Sequence, residues 1–430
     1  MKKDIKINVE HITRVEGHGN IVIDIKNGRI KELRLEIVES PRFYEAMVRG
    51  RKYDEVQHIM SRICGICAVS HTSASLRAIE SAMGIQITKQ AELLRKLAFH
   101  GEIIQSHILH LYFLVLPDFF GVGSVVPLAA KNPDIVKRGL RLKKLANDIC
   151  AVVAGRHIHP ISLFPGGVAH LPKVSELKAL KKRLEDSFED LDATLELFKS
   201  FKVPQFSKKR EYISLKEDGG YALYSGDIVS SKKYSGKPKD YKKIIKESIV
   251  PYSTAKHAES RKGIYMVGSL ARVNNNFKQM SKRARNIAKD IGLTAQPYNP
   301  FMNNHAQLVE VYHSTEDAIK IIDKLLSDGL KNEELKKPKK YGTGVGIVEA
   351  PRGILFHEYT IDKNGIVTDA NCIIPTAQNL NMIEDDMRGF VPTILNKTKE
   401  EITKDVETLV RAYDPCISCS SHIMDVEFEE

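Results

Sequence analysis

The chain has 430 residues, of which 42% are hydrophobic and 28% charged. This balance is typical of a folded globular protein with a large core, and it argues against a disordered or membrane protein. The formal net charge of +11 comes mostly from scattered lysine runs such as 231–243, which contain no recognisable nucleic-acid-binding motif. We therefore expect no nucleic acid partner, and we predict one large domain that spans residues 1–430.

The sequence also indicates the compartment. The most apolar stretch, 107–123, is interrupted by Pro117 and Asp118 before it reaches the roughly 20 residues that a membrane span needs. The first residues lack the apolar segment of a secretory signal, and six cysteines in so long a chain do not form a disulfide framework. A cytoplasmic protein without a membrane span is predicted.

Strand patterns come first along the chain. Residues 5–38 alternate between apolar and polar, with Asn27-Gly28 marking a type I′ hairpin turn. From 53 to 200 the apolar period becomes helical, which predicts a helical core. The stretch 204–256 is poor in periodicity and rich in Gly, Ser and Lys, which predicts an irregular surface insertion.

Helical patterns return after the predicted insertion, at 277–292 and 301–329, and a second hairpin within 352–374 turns on Asn364-Gly365. Helices near 379–391 and 398–412 precede the C-terminus. The predicted fold class is α+β, a large central helical bundle with peripheral β hairpins or small sheets. The predicted segments are 1–52, 53–200, 204–256, 340–376, 377–422 and a tail at 423–430.

Four of the six cysteines form two Cys-x-x-Cys pairs, Cys64 with Cys67 and Cys416 with Cys419. Such a turn presents two sulfurs to one metal and lets backbone N–H groups hydrogen bond to them. Zinc ribbons usually close loops of tens of residues, whereas these pairs would enclose about 350. Spacing alone leaves open a structural zinc site, two redox pairs or a catalytic soft-metal centre. The other two cysteines have no surrounding motif, which is typical of buried apolar positions.

The flanking residues carry a more specific signal. Five motifs occur in order along nearly the full chain: Thr13-Arg14-Val15-Glu16-Gly17-His18, Arg62-Ile63-Cys64-Gly65-Ile66-Cys67 with His71, Gly344 to Gly353 (GVGIVEAPRG), Pro375-Thr376-Ala377-Gln378-Asn379, and Asp414-Pro415-Cys416-Ile417-Ser418-Cys419 with His422. Together they resemble the large subunit of nickel-iron hydrogenases. The resemblance implies the fold of that subunit and the reversible oxidation of dihydrogen.

The resemblance also implies a metal centre. Cys64 and Cys416 would be terminal nickel ligands, and Cys67 and Cys419 would bridge nickel to an iron that carries one carbon monoxide and two cyanides. The residues expected to line this group are Pro351, Arg352, Pro375 and Thr376.

Catalytic roles follow from the same resemblance. Arg352 would lie over the metals, Glu16 would take the proton released at the Cys416 sulfur, and His71 would hydrogen bond to a bridging sulfur. Each has a plainer alternative: a loop-capping arginine, a glutamate that closes a turn and a buried structural histidine.

A second metal site is also implied by the resemblance. Glu45 and His422, with a backbone carbonyl, would bind Mg²⁺, and a hard oxygen ligand fits that ion. The plainer alternative is that both are ordinary surface residues.

Partner proteins are implied because the chain has no spare cysteine cluster for an iron–sulfur relay. We expect an iron–sulfur small subunit that holds those clusters, diaphorase-type or other electron-transfer subunits, nickel-insertion chaperones and a maturation endopeptidase. That protease would remove the tail after His422, so the sequence resembles an unprocessed precursor.

Within the family, the chain resembles the cytoplasmic bidirectional and sulfhydrogenase-like branch, with Ser106 where membrane-bound uptake enzymes carry aspartate. The electron acceptor would be soluble, such as NAD(P). Three other functions are weighed against this one. A quinone-binding subunit of respiratory complex I lacks the cysteine pairs. A hydrogen-sensing regulator keeps the ligands, and turnover distinguishes it. An energy-converting membrane hydrogenase fits the segments 344–359 and 375–379 less well.

Overall fold

The computed structural model describes residues 4–422. Its strands pair antiparallel throughout and form five small sheets in the orders β1-β2-β3, β4-β5, β6-β7-β8, β10-β9 and β11-β12-β13. The strands are β1 Ile5–Val9, β2 Gly19–Lys26, β3 Arg29–Ile37, β4 Leu163–Phe164, β5 Gly167–Val168, β6 Ile213–Lys216, β7 Asp227–Ser230, β8 Tyr234–Gly236, β9 Ile245–Ser248, β10 His257–Ser260, β11 Gly342–Ala350, β12 Gly353–Ile361 and β13 Val367–Ile373.

Helices make up the centre of the molecule. The α-helices are α1 Tyr44–Val48, α2 Val56–Met60, α3 Ala68–Met83, α4 Lys89–Leu109, α5 Leu116–Phe119, α6 Val125–Lys131, α7 Pro133–Ala154, α8 Val174–Asp186, α9 Phe188–Lys199, α10 Ser269–Asn276, α11 Lys282–Asp290, α12 Asn303–Asp328, α13 Pro375–Phe390, α14 Lys399–Ala412 and α15 Ile417–Ser420. A π-helical turn, His110–Val115, joins α4 to α5. The predicted α+β class, with a helical centre and small peripheral sheets, is confirmed.

The N-terminal sheet forms as its sequence predicts. Ile21 and Ile23 on β2 are buried with Leu33 and Leu35 on β3, so the alternating apolar residues face the core. Asn27 and Gly28 at the turn have φ of 53° and 71°, the left-handed conformations that a type I′ turn requires. The buried face packs against α13 and α14.

Long antiparallel packing defines the helical core, in which α4 lies against both α7 and α12. Thr88 begins α4 as its N-cap, because its hydroxyl accepts a hydrogen bond from the Ala91 amide at 3.1 Å. Helix α12 is buried along most of its first three turns. The observed helices agree with the helical periodicity of the sequence, which alone predicts the type of these elements.

The sheet β11-β12-β13 packs directly on α3, which begins one residue after Cys67. Two glycines on β11 permit this approach. A Cβ atom at Gly344 would lie 2.2 Å from the Ala82 amide nitrogen, and one at Gly346 would lie 2.0 Å from the Ala74 carbonyl oxygen. Strand and helix backbones are therefore in contact, with no side chain between them.

Two local predictions are wrong. The stretch 204–256 is not an irregular surface insertion, since it contains β6 to β9 and buries side chains in a small second core that includes Ile213, Leu215 and Tyr241. The predicted helix 277–292 is divided, because Ser281 caps a new helix, α11, after a 3₁₀ turn. The second hairpin is confirmed: β12 pairs with β13 and the chain turns at Asn364-Gly365, where only Gly365 has positive φ.

No helix in the described residues 4–422 is long and apolar enough to span a membrane. The predicted tail at 423–430 lies outside the described residues.

We predict that Gly346→Ala destabilises the protein. The added methyl group collides with backbone atoms of α3, which cannot move as a flexible side chain would, and overpacking of this kind costs about 1–3 kcal/mol. Urea unfolding followed by circular dichroism measures the change. Gly123→Ala is the matched control, because a Cβ atom there meets nothing within 4 Å. Equal midpoints for the two variants would contradict the close contact.

Candidate metal centre

The two cysteine pairs meet in the interior. Cys64 Sγ lies 3.6 Å from Cys416 Sγ, and Cys67 Sγ lies 3.8 Å from Cys419 Sγ. All four sulfurs lie within 4.8 Å of one another, and all four residues are buried. The sequence therefore correctly predicts that pairs about 350 positions apart converge.

Local backbone geometry presents these sulfurs. Cys64 follows a 3₁₀ turn, and its Sγ accepts hydrogen bonds from the amides of Ile66 and Cys67 at 3.3 and 3.4 Å. On the C-terminal side the amide of Cys416 donates to the Thr376 hydroxyl at 2.8 Å. The first pair is thus fixed by its own Cys-x-x-Cys turn, and the second pair is fixed by a hydrogen bond to helix α13.

The pKa values of the clustered thiols shift in different directions. Hydrogen bonds from Cys416, Cys419 and Cys67 hold the pKa of the Cys64 thiol well below its ordinary value. Burial raises the pKa of Cys416 and Cys419 well above theirs. Four thiolates this close repel one another strongly unless a cation neutralises them. The donor set therefore fits a soft metal ion that binds sulfur.

A small buried cavity of about 10 Å³ adjoins the sulfurs. Its wall is formed by Cys67, His71, Ala350, Arg352, Leu355, Ile374, Pro375, Thr376, Cys416 and Cys419. Three of the four residues expected to line the metal group are among them. Pro351 is not, since its carbonyl instead accepts a hydrogen bond from Arg272 at 2.9 Å.

Arg352 is buried at this cavity and is held by one acidic residue. Its Nε donates to the carbonyl oxygen of Asp414 at 2.8 Å and to its Oδ1 at 3.1 Å. Gln307 donates to the other carboxylate oxygen at 3.0 Å. The Nη1 atom of Arg352 is buried and has no hydrogen-bond partner in the described residues. A buried guanidinium donor without a partner is costly, which fits a ligand in the cavity that accepts a hydrogen bond.

Glu16 contacts the sulfur of Cys416. The thiol lies 3.1 Å from Glu16 Oε2, and the hydroxyl of Ser418 donates to Oε1. The Ile417 amide donates to the Glu16 carbonyl at 2.8 Å, so backbone contacts also join the two motifs. Gly17 has φ of 85°, and a Cβ there would lie 2.7 Å from the Ser418 amide nitrogen. Glycine is therefore required beside Glu16.

His71 lines the cavity, one helical turn after Cys67. Its ring hydrogen bond is not to a sulfur: Nδ1 lies 3.1 Å from Nε2 of His357. Burial lowers the pKa of His71 to about 3, so the ring is neutral. Nδ1 of His71 is therefore taken by His357, and the contact with a bridging sulfur stays a prediction for its Nε2.

Glu45 contacts His422, which stands three residues after Cys419. Glu45 Oε2 lies 2.9 Å from His422 Nδ1. Burial alone would raise the pKa of Glu45, but the neighbouring His422 lowers it below its ordinary value. His422 Nε2 is buried and without a hydrogen-bond partner in the described chain. A carboxylate beside an unpartnered imidazole nitrogen fits a divalent cation.

Three residues that matter here were not assigned a role from sequence. Asp414 and Ser418 stand inside the motif around Cys416, where their position was a usable signal. The sequence around Glu102 carries no such signal. Its buried carboxylate accepts hydrogen bonds from the amides of Val69 and Ser70, at the start of the helix that follows Cys67. Burial raises the pKa of Glu102 to about 8, although these bonds oppose the rise.

Comparison with known proteins agrees with this geometry. A family model described as nickel-dependent hydrogenase matches residues 42–138 and 200–422, and a HoxL-like model matches residues 6–40. The chain is 35% identical to the alpha chain of sulfhydrogenase 2 of Pyrococcus furiosus, with 97% of this chain and 99% of the relative covered. It is 34% identical to a chain of the F420-non-reducing hydrogenase vhu of Methanocaldococcus jannaschii, with 88% of this chain and 97% of that relative covered.

Solved structures give the same result. A chain of an NAD⁺-reducing [NiFe]-hydrogenase in the H₂-reduced state superposes with a TM-score of 0.90 at 28% identity, with 97% of this chain and 99% of that chain covered. A [NiFeSe]-hydrogenase chain of Dm. baculatum, at 21% identity and a TM-score of 0.76, shares the fold. With its four cysteines converging and nearly its full length matched, the chain belongs to the nickel-dependent hydrogenase family.

Proposed function

We propose that this chain is the catalytic large subunit of a nickel-iron hydrogenase and reversibly oxidises dihydrogen to protons and electrons. The observation that carries the proposal is the convergence of four buried cysteine sulfurs within 4.8 Å, beside a buried cavity. Cys64 and Cys416 would bind nickel, and Cys67 and Cys419 would bridge nickel to iron. When bound, this centre supplies the redox-active site at which dihydrogen is split.

The chain's own residues handle the proton. A thiolate at Cys416 can accept a proton, and Glu16 Oε2 lies within hydrogen-bond distance of that sulfur. Ser418 holds the carboxylate in place through its hydroxyl and amide. Glu16 is only partly buried, so a proton that it receives can pass outward.

Arg352 and the wall residues suit the expected iron ligands. Ala350, Leu355, Ile374 and Pro375 offer apolar surface, which suits a neutral carbon monoxide. The free Nη1 of Arg352 can donate a hydrogen bond to a cyanide nitrogen. These features support an iron that carries carbon monoxide and two cyanides, with Arg352, Pro375 and Thr376 around it. Pro351 would act only through its carbonyl contact with Arg272.

A magnesium ion bound by Glu45 and His422 forms part of the proposal. Support comes from the 2.9 Å contact between the two side chains and from the unpartnered Nε2 of His422. The ion would tie the chain beyond Cys419 to helix α1, which carries Glu45. In this way it would close the base of the cysteine site.

Partner proteins complete the enzyme. The two cysteines outside the cluster, Cys150 and Cys372, are buried in separate elements, α7 and β13, so electrons leave through iron–sulfur clusters of a small subunit. Diaphorase-type or similar subunits would carry them to a soluble acceptor such as NAD(P). We also propose a cytoplasmic location, nickel-insertion chaperones and an endopeptidase that removes residues 423–430. Residues 1–430 would form one functional unit, because motifs from 13–18 to 414–422 meet at one site.

We predict that the enzyme purified with its partner subunits reduces viologen dyes with dihydrogen, and that Arg352→Lys lowers this rate at least about tenfold. Loss of hydrogen bonds from a charged group costs roughly 1.5–3 kcal/mol, and an ammonium cannot reproduce the guanidinium fork. Nickel content should stay unchanged. Offering NAD⁺, NADP⁺ and polysulfide in turn identifies the acceptor. A wild-type complex that is loaded with nickel but inactive towards hydrogen contradicts the proposed function.

The cysteine assignment predicts a difference between two buried positions. Cys416→Ala should lose most bound nickel, because it removes one of the four clustered sulfurs. Cys150→Ala should keep wild-type nickel, since Cys150 lies in α7 outside the cluster. Elemental analysis of both purified variants measures the result. Full nickel occupancy in Cys416→Ala would remove that residue from the ligand set.

Glu16→Gln should separate proton transfer from hydrogen binding. The amide keeps the shape but cannot ionise, so hydrogen–deuterium exchange with solvent should fall about 100-fold or more. Interconversion of ortho- and para-hydrogen should persist, because it needs no exchange with bulk protons. Glu16→Asp should recover part of the exchange, and Glu10→Gln, at an exposed position, should change nothing. Undiminished exchange in nickel-loaded Glu16→Gln would leave Glu16 with a structural role alone.

A further inference from the structure

Behind His71 lies a buried hydrogen-bonded chain that the proposed mechanism does not use. His71 and Ser75 stand one turn apart on α3, and His357 and Tyr359 stand on one face of β12. All four side chains are buried, at 1% exposure or less. Helix and strand thus face each other across a contact made by imidazoles and hydroxyls.

The distances connect these groups in a defined order. His71 Nδ1 lies 3.1 Å from His357 Nε2, and His357 Nδ1 lies 2.6 Å from the Tyr359 hydroxyl oxygen. The Ser75 hydroxyl oxygen lies 2.9 Å from that of Tyr359 and 3.0 Å from His357 Nδ1. Within residues 4–422, these hydrogen bonds join neither imidazole to a carboxylate. The chain is therefore made of neutral donors and acceptors. In each of its hydrogen bonds, the proton lies on one or the other of the two partner atoms.

The shortest contact decides the order of donors. A phenol is a stronger donor than an imidazole N–H, and an imidazole nitrogen lone pair is a stronger acceptor than a phenol oxygen, so at 2.6 Å the Tyr359 hydroxyl donates to His357 Nδ1. Burial raises the pKa of Tyr359 well above its ordinary value, so this proton stays on the phenol. Ser75 can then donate to the Tyr359 oxygen. Every group in the chain is satisfied by this arrangement.

The consequence reaches the cavity. If Nδ1 of His357 accepts, its Nε2 carries the proton and donates to His71 Nδ1, and the proton of His71 then lies on its own Nε2. We propose that Tyr359 and His357 are positioning residues that fix the tautomer of His71, so that it presents an Nε2–H donor to the cavity lined by Cys67 and Cys419. The inference rests on the proposed function only for the identity of the group that receives this hydrogen bond.

The tautomer can be measured directly on the full chain without metal. After labelling histidine with ¹⁵N, two-bond ¹H–¹⁵N correlations distinguish a protonated from an unprotonated ring nitrogen in each imidazole. The signals of His71 are those that disappear in His71→Gln. We expect Nε2 protonated and Nδ1 unprotonated at His71 in the wild-type chain. The opposite tautomer would overturn the proposal without the need for any further variant.

Two matched variants then test which hydroxyl sets the tautomer. Tyr359→Phe removes the donor to His357 and should move the His71 ring signals toward a mixture of both tautomers. Ser75→Ala removes the other hydroxyl but leaves the 2.6 Å donor in place, so it should leave the His71 signals unchanged. Unmoved signals in Tyr359→Phe, or a shift in Ser75→Ala alone, would overturn the role of Tyr359. Nickel analysis of the matured enzyme separately tests the proposed function, so the two failures are distinguishable.

Discussion

Electrostatic repulsion among the four clustered sulfurs, if all were ionised, is the constraint on which the rest of the structure depends. Thiolates held within 4.8 Å of one another in a buried site need a compensating cation, and the fold places the guanidinium of Arg352 beside them. Of the four thiols, only Cys64 has a lowered pKa, because the other three cysteines hydrogen bond to it. The rest of the site holds positive charge beside the sulfurs. Arg352 is positioned by Asp414, and the residues that line the cavity beside it are buried.

The same constraint explains how the chain ends are organised. The Cys64 and Cys416 contact spans 352 positions, so the N-terminal and C-terminal motifs must be brought together by the fold. Glu16 does part of this, since its backbone pairs with Cys416 and its carboxylate is bonded to Ser418. Other buried ion pairs fix the surroundings: Arg411 and Arg14 share Asp118, and Arg272 binds Glu310 and Glu349 behind the loop that carries Arg352. Each of these buried charges thereby has a partner.

Sequence reasoning predicts the elements with strong periodicity and the residues inside motifs. It places β2 and β3, the long helices and the four cysteines, because those features are encoded by local pattern or by spacing. It misses the strands in 204–256, since three- and four-residue strands with mixed polarity have no clear period. It also misses Glu102 and His357, because a side chain that reaches a site from a distant element leaves no local pattern. For the same reason, the hydrogen bond between His71 Nδ1 and His357 on β12 could not be predicted.

The glycine contact between β11 and α3 has a mechanical consequence. Most packed elements are separated by a layer of side chains, whose rotamers give that layer some compliance. At Gly344 and Gly346 that layer is missing, so strand and helix move as one stiff body. The strand leads into the loop of Arg352, and the helix starts just after Cys67 and carries His71. The distance between the loop that carries Arg352 and the start of the helix beside Cys67 is therefore set by backbone contact, which thermal motion changes much less than it changes side-chain packing.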